Sequence, residues 1–251
     1  GIPMATDIAF SLAILSLLGK KVPVSLKIFL AALAIVDDLG AIMVIAIFYT
    51  EQLNWIYLGY CVAIIALLIF LNKRGTTKLV FYIIPGLFLW YFMHHSGIHA
   101  TIAGVILAFC IPTNESTTEI SPLEKLEHHL HLPVSFIIMP IFAFTNTNIT
   151  INPEIFSSLI NPLTLGIFGG LVLGKVIGIT GFSFLAIKLK ISSLPELSQW
   201  SQIIGVGFLA GIGFTMSIFI SLLSFPNDIL IQDEAKIAIL LASIVSSRIS
   251  Y

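Results

Sequence analysis

Two adjacent aspartates, Asp37 and Asp38, lie midway along an apolar stretch from Val24 to Thr50. At 1.5 Å per residue this stretch is long enough to cross a lipid bilayer, so both carboxyl groups would lie near the midplane. A charged side chain there costs roughly 2.5–3.5 kcal/mol on insertion scales. An ion pathway or a proton relay requires such groups, whereas a purely structural membrane helix does not.

Two further charged side chains, Asp7 and Lys175, fall inside apolar segments. Lys175 lies midway between Pro162 and Lys188, so it is also expected at mid-depth. Three acids and one base near one plane predict a single polar site. The alternative for each of them is a buried ion pair that only fixes helix packing.

The chemistry of such a site follows from its side chains. Neighbouring carboxylates disfavour simultaneous ionisation, so protons and a cation can compete for the Asp37–Asp38 pair. A small hard cation such as Na⁺ or Li⁺ prefers oxygen ligands, which the two carboxylates and the Thr6 hydroxyl offer. A nearby lysine can pair with one aspartate and be released when that acid binds a proton.

The composition excludes an ordinary soluble protein. Hydrophobic residues make up 57% of the 251 residues and charged residues 10%, against about 25% charged in soluble domains. The net charge of −1 points to no particular partner, and we expect no nucleic-acid binding and no cofactor. Cys61 and Cys110 lack metal-ligand spacing and are predicted to be small core side chains. The amino terminus lacks the features of a signal peptide.

Nine apolar segments are predicted to cross the membrane, at about 1–18, 24–50, 54–71, 79–93, 98–111, 133–146, 162–187, 203–223 and 235–247. Ten of the twelve Lys and Arg residues then fall on one side, and Lys236 lies on the other. By the positive-inside rule the basic side, which includes the carboxyl terminus, is cytoplasmic. If 79–111 were a single crossing, later basic loops would fall opposite earlier ones. The count of nine is therefore preferred.

Two of these segments are predicted to be broken. Pro3 disrupts the first, and Thr6 and Asp7 are residue types preferred where a helix starts, so a half-helix should begin at Ile8 near the midplane. The eighth segment is rich in glycine, which fits either close helix packing or a second unwound stretch. In transporters, paired broken helices mark the binding site.

Motifs along essentially the whole chain resemble those of the NhaA-type sodium/proton antiporter family. The motifs are Ala5-Thr6-Asp7-Ile8-Ala9-Phe10, Lys27-Ile28-Phe29-Leu30, Ala34-Ile35-Val36-Asp37-Asp38-Leu39-Gly40-Ala41-Ile42, Gly97-Ile98-His99-Ala100-Thr101-Ile102-Ala103-Gly104, Leu126-Glu127-His128, Pro140-Ile141-Phe142-Ala143-Phe144, Gly174-Lys175 and Gly211-Ile212-Gly213-Phe214-Thr215-Met216-Ser217. The resemblance implies an all-α integral membrane protein, a polytopic bundle with two broken, crossing helices in an inverted-repeat fold. The chain looks like its last nine helices. We therefore expect one transporter domain over 1–251, a fragment that lacks the preceding helices.

The resemblance also implies a function. It is the electrogenic exchange of cytoplasmic Na⁺ or Li⁺ for external protons by alternating access, regulated by pH, in the lipid bilayer of a bacterial inner membrane. No enzyme activity is implied, and the full-length parent is expected to be a homodimer. An inactive truncated remnant is the alternative for this chain. An intramembrane aspartyl protease is disfavoured, because its acids lie on separate helices and its Gly-Xaa-Gly-Asp motif is absent here.

The same resemblance assigns roles to individual residues. Asp37 and Asp38 match the pair that binds the cation (a transient Na⁺ or Li⁺ site) and the protons, with Thr6 nearby. Asp7 and Lys175 match residues that offset the dipole ends of the broken helices, and Lys175 also matches an ion-pair partner of Asp37. Whether Asp37 or Lys175 carries the second proton stays open.

Four further residues, Glu127, His128, His131 and His99, match positions tied to the pH response. The first three belong to a polar stretch predicted as a cytoplasmic loop from Pro112 to Leu132. From the residues alone, the alternatives are a solvated helix entry for this cluster and a hydrogen bond to a neighbouring helix for His99. A metal site at His128 and His131 lacks a further ligand.

Overall fold

The computed structural model of the chain describes residues 1–19, 22–48, 53–113, 120–149 and 160–250. Within these ranges all regular elements are helical, which confirms the predicted all-α class. The α-helices are α1 (Ile8–Leu17), α2 (Val24–Phe48), α3 (Trp55–Lys73), α4 (Val80–His95), α5 (Thr101–Cys110), α6 (Pro122–Pro133), α7 (Met139–Asn146), α8 (Pro162–Gly169), α9 (Lys175–Lys188), α10 (Trp200–Ala210), α11 (Phe214–Ser224) and α12 (Ile229–Ile249). A 3₁₀ turn covers Ile2–Met4, and π turns cover Val134–Ile138 and Gly170–Gly174.

Four stretches are long and apolar enough to cross a membrane: Val24–Phe48, Trp55–Lys73, Pro122–Asn146 and Pro162–Lys188. The bent pair α10 and α11 counts as a fifth. Helix α4, helix α5 and the stretch Ile2–Leu17 are apolar but shorter. Each of the nine predicted segments thus contains helix, while at most five are full spans by length and hydropathy among the described residues. A break at residues 96–100 separates α4 from α5, which agrees with the prediction that 79–111 is not one helix.

The start of the sixth segment was predicted wrongly. The helix begins at Pro122 rather than near residue 133, because a reciprocal capping box forms at its amino-terminal end. The Ser121 hydroxyl accepts from the Glu124 amide at 3.2 Å, and the Glu124 carboxylate accepts from the Ser121 amide at 2.7 Å. Such a box satisfies two amides that a helix start leaves free. The Glu127–His131 cluster, predicted to lie in a loop, therefore lies on α6.

The chain forms two compact units, one of residues 1–41 and 143–251 and one of residues 42–142. In the first unit, Leu15, Leu30 and Leu209 belong to a buried cluster that joins α1, α2 and α10. In the second unit, α3, α4 and α5 pack around Leu68 and Tyr82. Cys61 and Cys110 are buried free thiols in that second core, as predicted. The prediction of one transporter domain over 1–251 stays a prediction.

Candidate functional site

The first broken segment has the form that the sequence predicts. The 3₁₀ turn Ile2–Met4 is followed by extended backbone, and α1 begins at Ile8. Asp7 caps α1, because its Oδ1 accepts a hydrogen bond from the Phe10 amide at 3.1 Å. Thr6 and Asp7 are 0% and 1% exposed, so the break and its polar side chains are fully inside the first unit.

The second broken segment lies between α10 and α11, which are bent by 44° relative to each other. Gly211 and Gly213 flank the break. A Cβ on Gly211 would overlap the Leu171 carbonyl oxygen, and one on Gly213 would overlap the Ser217 hydroxyl. Both alternatives left open by the sequence therefore apply, since the helix is interrupted here and the glycines also permit close packing.

The two breaks contact each other directly. The Asp7 amide donates to the Ile212 carbonyl at 2.7 Å. The Asp7 Oδ2 atom accepts from the Thr215 amide at 3.1 Å and from the Thr215 hydroxyl at 2.5 Å. One carboxylate thus lies at the amino-terminal ends of both α1 and α11, where the helix dipole favours negative charge. Sequence reasoning missed Thr215, the second residue of α11, although threonine is a residue type often found at helix starts.

Lys175 joins the 3₁₀ turn to α2. It is the first residue of α9, directly after the π turn Gly170–Gly174. Its Nζ donates to Asp37 Oδ2 at 2.5 Å, to the Met4 carbonyl at 2.6 Å and to the Thr6 hydroxyl at 2.8 Å. The Lys175 and Asp37 side chains are 9% and 23% exposed. The ammonium group therefore has three oxygen partners, two on the first broken segment and one on α2, and only the Asp37 carboxylate among them is charged.

The Thr6 hydroxyl links the ion pair to the second break. Its Oγ1 lies 2.9 Å from the Ala210 carbonyl and 3.0 Å from Asp37 Oδ2. A hydroxyl has one proton, so it can donate to only one of these acceptors at a time. The Thr6 hydroxyl can therefore donate either to the Ala210 carbonyl or to the Asp37 carboxylate.

Asp38 is adjacent to Asp37 but turned away by about 100° on the helix. Its Oδ1 atom is buried and has no hydrogen-bond partner among the described residues. The groups that act on it electrostatically are the Thr6 amide, Asp37, Lys175 and Asp7. A buried carboxylate oxygen without a donor favours binding of a proton or a cation, because either would supply the missing partner.

A cavity of about 440 Å³ reaches the ion pair. Asp37 and Lys175 line it together with apolar side chains that include Phe29, Leu33 and Phe182. The charged pair is therefore not sealed inside packed hydrocarbon. Within the described part of the chain there is no group of three or more His, Cys, Asp or Glu side chains arranged to hold a metal ion.

The residues implied in the pH response lie in the second unit. Glu127, His128 and His131 are exposed on α6. His99 is partly buried in the connection between α4 and α5, and its Nδ1 lies 3.1 Å from the Thr101 hydroxyl. Burial and the nearby His94 lower the pKa of His99 below its ordinary value.

Of the nine predicted site residues, the structure brings Thr6, Asp7, Asp37, Asp38 and Lys175 together in the first unit. It also adds residues that sequence reasoning missed, namely Ser11, Thr215 and Ser217, whose hydroxyls bond across the two breaks. The π turn before Lys175 was not predicted either, because glycine and leucine carry no local signal for it.

Comparison with known proteins gives a match over the entire chain. A family model described as "Na+/H+ antiporter 1" matches residues 1–251. The protein "Na(+)/H(+) antiporter NhaA 2" of Flavobacterium johnsoniae is 57% identical over 251 residues, which is 100% of this chain and 61% of that protein. "Na(+)/H(+) antiporter NhaA" of Flavobacterium psychrophilum is 52% identical, over 100% of this chain and 65% of that protein. The chain is 53% identical over 249 residues to the protein of the same name in Cytophaga hutchinsonii, of which it covers 64%. It therefore spans less than two thirds of these curated relatives.

Proposed function

The chain belongs to the Na+/H+ antiporter 1 family, and from this premise we propose that it carries the ion-binding core of an antiporter that exchanges Na⁺ or Li⁺ for protons. Such a protein is a transporter rather than an enzyme. The observation that supports the proposal best is the contact of Lys175 Nζ with Asp37 Oδ2. The neighbouring Asp38 has a buried carboxylate oxygen for which the described part of the chain offers no hydrogen-bond partner.

The proposed cycle uses competition for the two carboxylates. Without a cation, Lys175 neutralises Asp37, and Asp38 binds a proton. When Na⁺ enters from the cytoplasm, the oxygens of Asp37 and Asp38 become its ligands and Lys175 is displaced. One proton then leaves Asp38, and a second leaves the Lys175–Asp37 pair, from whichever of these two residues carries it. Thr6 supplies a hydroxyl oxygen once its proton is donated to the Ala210 carbonyl. On the external side, protons bind Asp38 and the Lys175–Asp37 pair again, and Na⁺ is released.

The neighbouring charges support this cycle electrostatically. Asp7 stays at the amino-terminal ends of α1 and α11 and offsets their positive dipole ends. Lys175 donates to the Met4 carbonyl at the end of the 3₁₀ turn, where a cation is favoured. Alternating access then exposes this fixed site to each side in turn, and unequal numbers of charges exchanged make transport electrogenic.

Regulation, location and assembly are also part of the proposal. Glu127, His128, His131 and His99 would mediate the pH response, as in the family that the motifs resemble. The location would be a bacterial inner membrane, with the carboxyl terminus cytoplasmic on the positive-inside rule. The complete antiporter would be a homodimer in the lipid bilayer, as in the family that the motifs resemble.

The test is Na⁺-driven proton movement in lipid vesicles. A suitable protein is a chimera in which residues 1–251 replace the matching stretch of the Flavobacterium johnsoniae relative. Asp38→Asn in this chimera should abolish exchange, because the amide cannot bind a proton or balance the cation charge. Asp228→Asn is the matched control, since Asp228 is exposed and caps α12, and asparagine caps equally well. Exchange at the parental rate in Asp38→Asn contradicts the proposed site.

An inactive remnant is the second candidate, because the chain covers only 61–65% of its curated relatives. Its test uses residues 1–251 expressed alone in the same vesicles. Sodium-dependent proton movement by this chain eliminates the remnant. Exchange by the chimera, with none by residues 1–251 alone, supports it.

A further inference from the structure

Three hydroxyl groups bond to carbonyl oxygens across the two breaks. The Thr6 and Ser11 hydroxyls, on the first broken segment, donate to the Ala210 and Leu209 carbonyls at the end of α10, each at 2.9 Å. A third bond runs in the opposite direction. The Ser217 hydroxyl, in the first turn of α11, donates to the Ile2 carbonyl at 2.9 Å.

Ser217 is placed for this bond by its surroundings. Its side chain is 0% exposed, and Ile2 is 6% exposed. A Cβ on Gly213, one helical turn earlier, would overlap the Ser217 hydroxyl oxygen. The glycine thus leaves the space that the hydroxyl occupies. A buried carbonyl that loses its donor is left with an unsatisfied polar group, which is costly.

The Ile2 carbonyl belongs to the same 3₁₀ turn as Met4, whose carbonyl accepts from Lys175 Nζ at 2.6 Å. A turn of three residues has little stability of its own, because short 3₁₀ and helical segments are marginal. The position of the turn must therefore be fixed by tertiary contacts. Besides the Lys175 bond, these contacts include the Ser217 bond, the packing of Pro3 against Gly170 and the packing of the Met4 side chain against Gly40.

We propose that Ser217 is a positioning residue for the cation site: its hydroxyl holds the 3₁₀ turn Ile2–Met4 so that the Met4 carbonyl remains a partner of the Lys175 ammonium group. The Met4 carbonyl takes up one of three N–H donors of Lys175. Without it, that donor turns toward the Asp37 carboxylate, which then binds Lys175 more tightly and an entering cation more weakly. This consequence rests on the proposed function.

The experiment compares Ser217→Ala with Ser221→Ala in the chimera. Ser221 is also 0% exposed and lies one turn later on α11, but its hydroxyl donates to the Ile218 carbonyl of its own helix at 2.7 Å. Ser217→Ala should raise KM for Na⁺ by about 3- to 10-fold, the loss expected for one hydrogen bond, with Vmax within about twofold of the parent. Ser221→Ala should keep both values. Ser217→Thr, which retains a hydroxyl, should keep KM near the parental value.

A second measurement does not depend on transport. Deuterium uptake by the peptide spanning residues 1–7, followed by mass spectrometry in detergent without Na⁺, should be faster in Ser217→Ala and unchanged in Ser221→Ala. Unchanged uptake in Ser217→Ala overturns the proposal whatever the transport result. Faster uptake with parental KM overturns the role at the cation site and leaves only a structural anchor. If the chimera itself exchanges no Na⁺, the proposed function fails, and the uptake comparison still decides whether Ser217 holds the turn.

Discussion

Asp7 and Thr215 are joined by two hydrogen bonds that tie the starts of two half-helices to one carboxylate. Asp7 Oδ2 accepts from both the amide and the hydroxyl of Thr215, while Oδ1 accepts from the Phe10 amide of its own helix. The side chain is 1% exposed. The buried Asp7 carboxylate therefore holds the two broken segments together. It accepts hydrogen bonds from amides at both helix starts, which have no acceptor within their own helices.

Asp7→Ala should be far more destabilising than loss of an ordinary helix cap. It removes three hydrogen bonds from a buried position, and we expect the free energy of unfolding to fall by about 3–5 kcal/mol. Asp228→Ala, which removes an exposed cap of α12, should cost about 1 kcal/mol. Unfolding of both variants in graded SDS provides the comparison. Equal losses would show that the Asp7–Thr215 contact does not stabilise the crossing.

Gly211→Ala and Gly205→Ala should have opposite effects. A Cβ on Gly211 would overlap the Leu171 carbonyl oxygen and would lie 3.0 Å from the Phe208 carbonyl oxygen. Both are backbone atoms, so the backbone would have to move. We expect a loss of about 1–3 kcal/mol in unfolding free energy. A Cβ on Gly205 would lie 3.6 Å from the Ser250 carbonyl oxygen, which is an ordinary van der Waals contact. Alanine there should be neutral or stabilising by up to about 1 kcal/mol, since it favours helix. Thermal unfolding in detergent measures both, and a tolerated Gly211→Ala would contradict the close packing at the break.

Thr6→Val keeps the shape of the side chain and removes a hydroxyl that contacts Lys175, Asp37 and the Ala210 carbonyl. KM for Na⁺ in the chimera should rise about 10-fold, because the proposed site loses one oxygen ligand.

Thr180→Val is the matched control for this change. The Thr180 hydroxyl is buried without a hydrogen-bond partner among the described residues, so its removal should leave KM unchanged and raise stability slightly. A parental KM in Thr6→Val would remove Thr6 from the proposed site.

The stability of the chain should depend on pH through His99. Burial and the nearby His94 lower the pKa of His99 in the folded protein, whereas the unfolded chain has the ordinary value near 6.5. Below about pH 6.5 the unfolded state binds more protons at His99 than the folded state does. The free energy of unfolding is therefore highest above this pH, with respect to His99, and it decreases as the pH falls from there toward the lower pKa of the folded protein.

His99→Gln should therefore reduce the loss of stability between pH 7.5 and 5.5, measured by SDS unfolding at each pH. His128→Gln, at an exposed position on α6, should retain the parental pH dependence. The assignment fails if His99→Gln loses as much stability on acidification as the parent does.

Much of the local structure could be predicted because its causes are local. The half-helix after Asp7 follows from Pro3 and the Thr6–Asp7 pair, whose side chains act on their own backbone. The start of α6 was missed although its signal was present, since Ser121 and Glu124 have the spacing of a capping box. From the residues alone, similar depth predicted only that Lys175 could pair with one of the aspartates. The choice of Asp37 came from resemblance to a family, because a local pattern does not show which side chains of distant helices meet.

The sequence by itself determined that this protein lies in a membrane, that Asp37, Asp38 and Lys175 lie inside apolar stretches, and that the first segment is broken at Asp7. Hydropathy and capping depend on neighbours in the chain, so they can be read directly. Only the tertiary structure decided that one carboxylate serves two helix starts, and that the Ser217 hydroxyl meets the Ile2 carbonyl. Those partners are brought together by packing of segments far apart in the chain, and packing depends on the whole set of contacts rather than on any local pattern.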